Sequence, residues 1–331
     1  MDEQANFLND KILKTIYFGG GTPSLLHPEQ IERFIDHASR LYDCSGVEEI
    51  TIEANPDDIT EEYVAALRKT DVNRVSLGIQ SFDDEELRFM NRRHSAEEAI
   101  DAVKRLQDSG IENITIDLIF GVDGFGEEVL NRSLDTALAL GVQHISAYHL
   151  TIEPATTFHR RVQAGRMKEV DEELSEREYA LIEKRLTEGG YEHYEVSNYA
   201  KAGFRSRHNS SYWHGAEYLG IGPGAHSFNG SVRRWSSQSL PQYISGREYE
   251  SETLSQTEHF NEYVMTSLRC CEGMDIELIK SRFGEERLAR LLAEAKTQIA
   301  IGNLVLNDGR LYIPTERFLT SDAVIEAFFE M

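Results

Sequence analysis

The sequence predicts an α/β fold, a parallel β/α partial barrel followed by a mainly helical, winged-helix-like module at the C-terminal end. The barrel rests on an alternation: from residue 15 to 153, short β-branched runs take turns with helical patterns, the signature of successive βαβ units. The module rests on "LVLNDGRLYI", where a turn-prone Asn307-Asp308-Gly309 segment separates two apolar runs and predicts a hairpin.

The strands are TIYF (15 to 18), EITIEA (49 to 54), RVSLGI (74 to 79), NITIDLIF (113 to 120) and HISAYHL (144 to 150). Between the first two, a helix begins near Pro28, a favoured first-turn residue, with Ile31, Phe34, Ile35, Ala38 and Tyr42 on one stripe. Ser95 and Glu98 have the spacing of a capping box, and the helix they open closes at Gly110. The leading "ANFLNDKIL" reads as the end of a helix. After residue 160 come an acidic helix (171 to 189), a Tyr- and His-rich stretch, and a helical region from 256 that includes the hairpin and "TSDAVIEAFF". Three divisions follow: a barrel over 1–160, an extension over 161–255 and the C-terminal module over 256–331.

The 331 residues include 34 Lys and Arg against 57 Asp and Glu, for a net charge of −23. Neutralising phosphates takes clustered cations, so nucleic acid is not an expected partner and the C-terminal module is expected to pack or dock rather than bind DNA. No apolar run approaches the ~20 residues of a bilayer span, and MDEQANFLNDK lacks an apolar secretory core, so the expected location is the cytoplasm. Cys44, Cys270 and Cys271 are the only cysteines, and their spacing offers neither a disulfide framework nor a zinc site.

In barrels of this type the chemistry sits on the rim at the carboxyl ends of the strands. Here those positions hold Gly19 to Thr22, Glu53 and Asn55, Gln80 and Ser81, Asp117, then His149 and Glu153. Glycine and asparagine are half explained as turn formers. Glu53, Gln80 and Asp117 are not, because a carboxylate or amide in an apolar strand costs desolvation unless it is paired or binds something. Gly19-Gly20-Gly21-Thr22 can bring backbone N–H groups close to a ligand, but no Lys follows as a phosphate P-loop requires. "GIGPGAHSF" (220 to 228) contains Pro223 and lacks the strand–turn–helix setting of a dinucleotide fingerprint, so it reads as a tight, rigid loop.

The ordered series GGGTPS, TIEANPD, LGIQSFDDEELRFMNRRH, NITIDLIFGV and HNSSYW resembles the radical S-adenosylmethionine (SAM) proteins related to oxygen-independent coproporphyrinogen III oxidase, and within them the HemW heme chaperone branch. The resemblance spans nearly the whole chain. It implies that Gly20, Gly21, Thr22, Glu53, Gln80, Arg92 and Asp117 contact SAM. Periodicity alone reads Arg92 as a solvated charge. The resemblance further implies heme transfer to an acceptor protein, with His208 of the H-N-x-x-Y-W pattern as a candidate axial ligand and Tyr212 and Trp213 lining a cavity wall. The alternative within the group is oxidative decarboxylation of a porphyrinogen propionate.

The same resemblance implies a [4Fe-4S] cluster held by a C-x-x-x-C-x-x-C loop ahead of GGGTP, and no cysteine precedes Gly19 here. The expectation is that the five strands are strands two to six of a six-stranded partial barrel whose first strand and cluster loop lie outside this chain. As given, the chain is then expected to be inert in radical chemistry, and to self-associate through the exposed edge of the barrel.

Overall fold

The computed structural model describes residues 1–246 and 249–330, which fall into two compact units. The first comprises Thr15–Phe34 and Glu48–Ser206; the second comprises Met1–Lys14, Ile35–Val47 and Arg207–Met331.

In chain order the first unit contains β1 (Thr15–Phe18), the start of α1 (Pro28–Leu41), β2 (Glu49–Ala54), α2 (Glu61–Leu67), β3 (Arg74–Gln80), α3 (Asp84–Phe89), α4 (Ala96–Asp108) and β4 (Ile114–Phe120). It continues through α5 (Gly126–Leu140), β5 (His144–His149), α6 (Thr157–Gln163), α7 (Glu172–Glu188), β6 (Glu192–Glu195) and β7 (Asn198–Ala200). One sheet of order β1-β2-β3-β4-β5-β7-β6 organises it, parallel from β1 to β5 and antiparallel where β7 joins β5. All five expected strands are present within a residue of the reading, and the sheet continues past residue 160 through β6 and β7. Those two strands escaped the sequence because EHYE and NYA carry no β-branched run.

Alternation within the strands separates two faces. Ile50, Ile52, Val75, Leu77, Ile79, Ile114, Ile116 and Ile145 are buried on one, against helices whose apolar stripes include Ala99, Ala102, Val103 and Leu106 of α4. Each such side chain contributes roughly 1.5–3 kcal/mol relative to exposure. The opposite face is polar at nearly every step: Glu49, Thr51 and Glu53 on β2, Arg74 and Ser76 on β3, Thr115 and Asp117 on β4, His144 and Ser146 on β5. At its base Arg74, 2% exposed, donates to Asn113 Oδ1 (2.9 Å), Thr115 Oγ1 (2.7 Å) and the Phe204 carbonyl (3.3 Å), and faces Glu49 at 3.8 Å. Glu49 also accepts from Thr51 and Ser206. The buried ion pair is tolerated because both partners are hydrogen-bonded as well as paired. The capping box of α4 forms as expected, Ser95 and Glu98 bonding each other's backbone N–H.

The second unit contains α8 (Arg207–Trp213), β8 (His226–Phe228), β9 (Val232–Ser236), α9 (Leu240–Gly246), β10 (Tyr249–Thr253), α10 (Gln256–Leu268), β11 (Met274–Asp275), α11 (Ile276–Phe283), α12 (Glu285–Ala300), β12 (Val305–Asn307), β13 (Arg310–Tyr312) and α13 (Ser321–Glu326). It holds two small antiparallel sheets, β10-β9-β8 and β11-β13-β12. The expected hairpin is β12–β13: Asn307 pairs with Arg310, leaving a two-residue turn with Asp308 at φ 47° and Gly309 at φ 74°, the geometry that matches strand twist. The segment "ANFLNDKIL" forms no α-helix. Asn9 instead donates to the Glu217 carboxylate and the Asn229 carbonyl, so long-range bonds within this unit hold the segment in an irregular path.

Candidate functional site

The carboxyl ends of β1 to β4 gather the barrel residues singled out in the sequence. Gly19 and Gly20 follow β1, and the Gly20 N–H donates to Glu53 Oε2 at 3.1 Å while the Tyr17 hydroxyl donates to Glu53 Oε1 at 2.7 Å. A Cβ on Gly19 would lie 2.3 Å from Tyr17 and 2.5 Å from Glu53, so only glycine allows this approach. Gly20 has φ +77°, and nothing stands within 4 Å of where a Cβ would extend from Gly20 or Gly21. The loop therefore offers backbone to an open space. Thr22 precedes the 3₁₀ turn Pro23–Leu25.

Across the rim, the ladder between β3 and β4 shifts register between Leu77 and Gln80, and Gln80 adopts φ +74°. A left-handed glutamine at a bulge is costly backbone, held only where the surroundings over-determine it. Arg92 arrives from the turn after α3 and donates through Nη2 to Asn55 Oδ1 (3.0 Å) and the Gly78 carbonyl (2.7 Å). The Gln80 amide and the Arg92 guanidinium both flank Gly78, at 3.2 and 3.3 Å from where its Cβ would be. Burial pulls the Arg92 pKa down while Asp57 opposes that shift.

Asp117 sits deeper on the polar face, with its strand position opposite Ser146 and with Ser76 Oγ at 3.5 Å. Burial pushes its pKa up to about 6, the negative Glu53 adds to the rise, and the Ser146 and Ser76 hydroxyls and Arg74 counter it. Burial likewise raises Tyr148, with Asp117 adding to it. Thus Glu53, Gln80, Arg92, Asp117 and the Gly20 backbone form one constellation. Asn55 serves it by accepting from Arg92, whereas the Ser81 hydroxyl is turned to Glu86. His149 is instead engaged with Ser175, 2.9 Å away, and Glu153 lies beyond the strand, its carbonyl accepting from Thr156.

The donor set suits SAM: carboxylates for ammonium and ribose hydroxyls, a guanidinium for the carboxylate, an amide able to donate and accept, and glycine backbone beside open space. It does not suit an iron–sulfur cluster. No cysteine lies within 15–34 or 48–206, and among the described residues no group of three or more His, Cys, Asp or Glu side chains could hold a metal ion.

His208 stands in the second unit, on α8. Its Nε2 is hydrogen-bonded to the Tyr212 hydroxyl at 3.1 Å, with the rings edge-on and centroids 5.1 Å apart. Tyr212 meets Tyr218 at 4.8 Å, and burial pushes its pKa up to about 12. Trp213 Nε1 is buried with no hydrogen-bond partner. Sequence reasoning missed Tyr17 and the base of the polar face, Glu49, Arg74 and His144. Their signal was a period-two alternation, which reads equally well as a solvent-facing side.

The Radical SAM superfamily model matches residues 1–137, and the HemN C-terminal domain model matches 254–316. Heme chaperone HemW of Lactococcus lactis is 34% identical over 96% of this chain and 84% of that protein; HemW of Bacillus subtilis is 33% identical over 96% and 85%. In fold, the chain resembles the coproporphyrinogen III oxidase HemN of Escherichia coli, with a TM-score of 0.80 and 19% identity over 96% of this chain and 78% of that one. Among the described residues no helix is long and apolar enough to cross a membrane. With the half-barrel sheet, the rim constellation and this extent of identity in agreement, the chain belongs to the HemW family of radical SAM proteins.

Proposed function

We propose that this chain binds heme and passes it to an acceptor protein, on a half-barrel that also binds SAM. The observation that carries the reading is that relatives named heme chaperone HemW match it almost end to end. The second unit offers suitable chemistry: the His208 imidazole is a normal axial ligand for heme iron, and Tyr212 and Tyr218 present aromatic surface beside it.

In the first unit, Gly20, Gly21, Thr22, Glu53, Gln80, Arg92 and Asp117 are the residues that would hold SAM. SAM supplies a sulfonium whose reductive cleavage yields a carbon radical when an electron reaches it from a cluster. Glu53 and Asp117 accept from its donor groups, Arg92 pairs with its carboxylate, and Gln80 satisfies both donors and acceptors. Because no group of three or more His, Cys, Asp or Glu side chains among the described residues could hold a metal ion, radical cleavage is not assigned to these residues alone.

Titration with hemin tests the heme reading. The wild-type chain is expected to develop a Soret band at stoichiometric heme, and His208→Ala to shift or lose it. A wild-type chain that leaves the free-hemin spectrum unchanged rules the reading out.

A further inference from the structure

We propose that Glu86 is a positioning residue for Gln80, acting through Ser81 to lock the backbone that aims the Gln80 amide at bound SAM. The inference rests on the reading of Gln80 as a SAM contact and extends it to residues that do not face the ligand.

Gln80 holds a left-handed φ of +74° at a register shift, and an unsupported segment would relax out of it. Support comes from side chains on both sides. Upstream, the Gly78 carbonyl accepts from Arg92 at 2.7 Å, and the Ile79 carbonyl is bonded to His94 Nε2 at 2.9 Å. Downstream, the Ser81 hydroxyl donates to Glu86 Oε2 at 2.5 Å and accepts from the Asp83 N–H at 3.0 Å, while the Phe82 N–H donates to Ser133 Oγ at 3.1 Å. The backbone on both sides of Gln80 is thereby pinned within a few residues.

Glu86, in the first turn of α3, is 5% exposed. A carboxylate there carries a desolvation cost that leucine would avoid, so its retention needs a use. Its carboxylate accepts from the hydroxyl of Ser81, the residue after Gln80, and its backbone N–H donates to Asp83 Oδ1 at 3.1 Å. Three charged groups face it: Asp83, the N-cap of α3; Arg132 of α5; and Glu178 of α7. Burial, together with Asp83 and Glu178, lifts its pKa to about 7, against the opposing Ser81 hydroxyl and Arg132. Ionised Glu86 accepts from Ser81 more strongly than the acid does, so the lock tightens as pH rises through that region.

The test measures SAM binding to the full chain by calorimetry at pH 6 and pH 8, with amide exchange over residues 78–83 read in parallel. Ser81→Ala and Glu86→Leu are expected to weaken binding about tenfold and to lose exchange protection. Glu86→Gln keeps an acceptor for Ser81, so it is expected to bind as the wild type does at pH 8 and to lose less affinity at pH 6, where only the Asp117 contribution remains. Adding Gln80→Ala to Glu86→Leu is expected to cost nothing further, because the two act on one contact. Wild-type affinity in both Glu86→Leu and Ser81→Ala overturns the proposal. If the wild-type chain itself binds no SAM, the ligand reading of Gln80 fails. The exchange arm then stands alone: lost protection in Glu86→Leu supports the lock, and unchanged protection overturns it.

Discussion

Tyr17 and Glu53 are joined between neighbouring strands, the phenol donating to the carboxylate across 2.7 Å while the Gly20 N–H takes the second oxygen. Burial, reinforced by the Glu53 charge, drives the Tyr17 pKa far up, so the phenol stays a neutral donor. Tyr17→Phe frees one carboxylate oxygen without changing volume. SAM affinity is expected to fall by roughly three- to thirtyfold, with unfolding free energy changed by about 1 kcal/mol, measured by calorimetry and urea titration.

The glycine loop is tested by a pair of alanines. Gly19→Ala drives a methyl into Tyr17 and Glu53, and is expected to cost about 1–3 kcal/mol of stability and most SAM binding. Gly21→Ala meets no protein atom within 4 Å, so stability should hold while affinity falls. Equal effects of the two on stability would contradict this geometry.

Asp117 sets a pH dependence with a definite sign. Burial lifts its carboxyl from the ordinary aspartate value of 3.8, kept in the unfolded chain, to about 6 in the folded one. Between these values the folded state holds the extra proton, so stability falls as pH rises through the window and levels off above it. The expected span is on the order of 3 kcal/mol, and Asp117→Asn should flatten it. SAM hydroxyls prefer the carboxylate, so affinity should drop as pH falls below about 6. Thermal melts and binding isotherms between pH 4 and pH 8 check both slopes.

Arg74→Met leaves Glu49 buried without its counter-charge, and is expected to cost about 3–5 kcal/mol. Arg74→Met combined with Glu49→Leu removes both charges and should recover much of the loss. A double variant as unstable as the single one would show that the pairing is not what matters.

β1 stands at an edge of the sheet order, and Leu25, Leu26 and Phe34 in the same unit are exposed. Reversible self-association is expected, visible as a sedimentation coefficient that rises with concentration. Leu25→Glu with Phe34→Glu should suppress it.

Much of the half-barrel was legible because its helix-facing strand residues are β-branched and its helices carry clear caps, as at Ser95 and Glu98. The polar face was legible only as isolated anomalies. Glu53 and Asp117 stood out near strand ends, while Glu49, Arg74, Thr115 and His144 looked like ordinary alternation. What distinguishes a closed polar interior from a wet surface is curvature, which no local pattern encodes. Gln80 could be named but not its backbone, since a positive φ at glutamine has no sequence signature. Glu86 was unreadable because its meaning depends on a serine five positions away being turned toward it.

A sheet that turns its hydroxyls, carboxylates and an imidazole inward changes what binding there can cost and yield. A ligand entering this half-barrel exchanges hydrogen bonds to solvent for hydrogen bonds to strand side chains, with little greasy area removed from water. Calorimetry of SAM should therefore show a dominant favourable enthalpy and a small heat-capacity change, the thermal fingerprint of a polar vessel rather than an oily pocket.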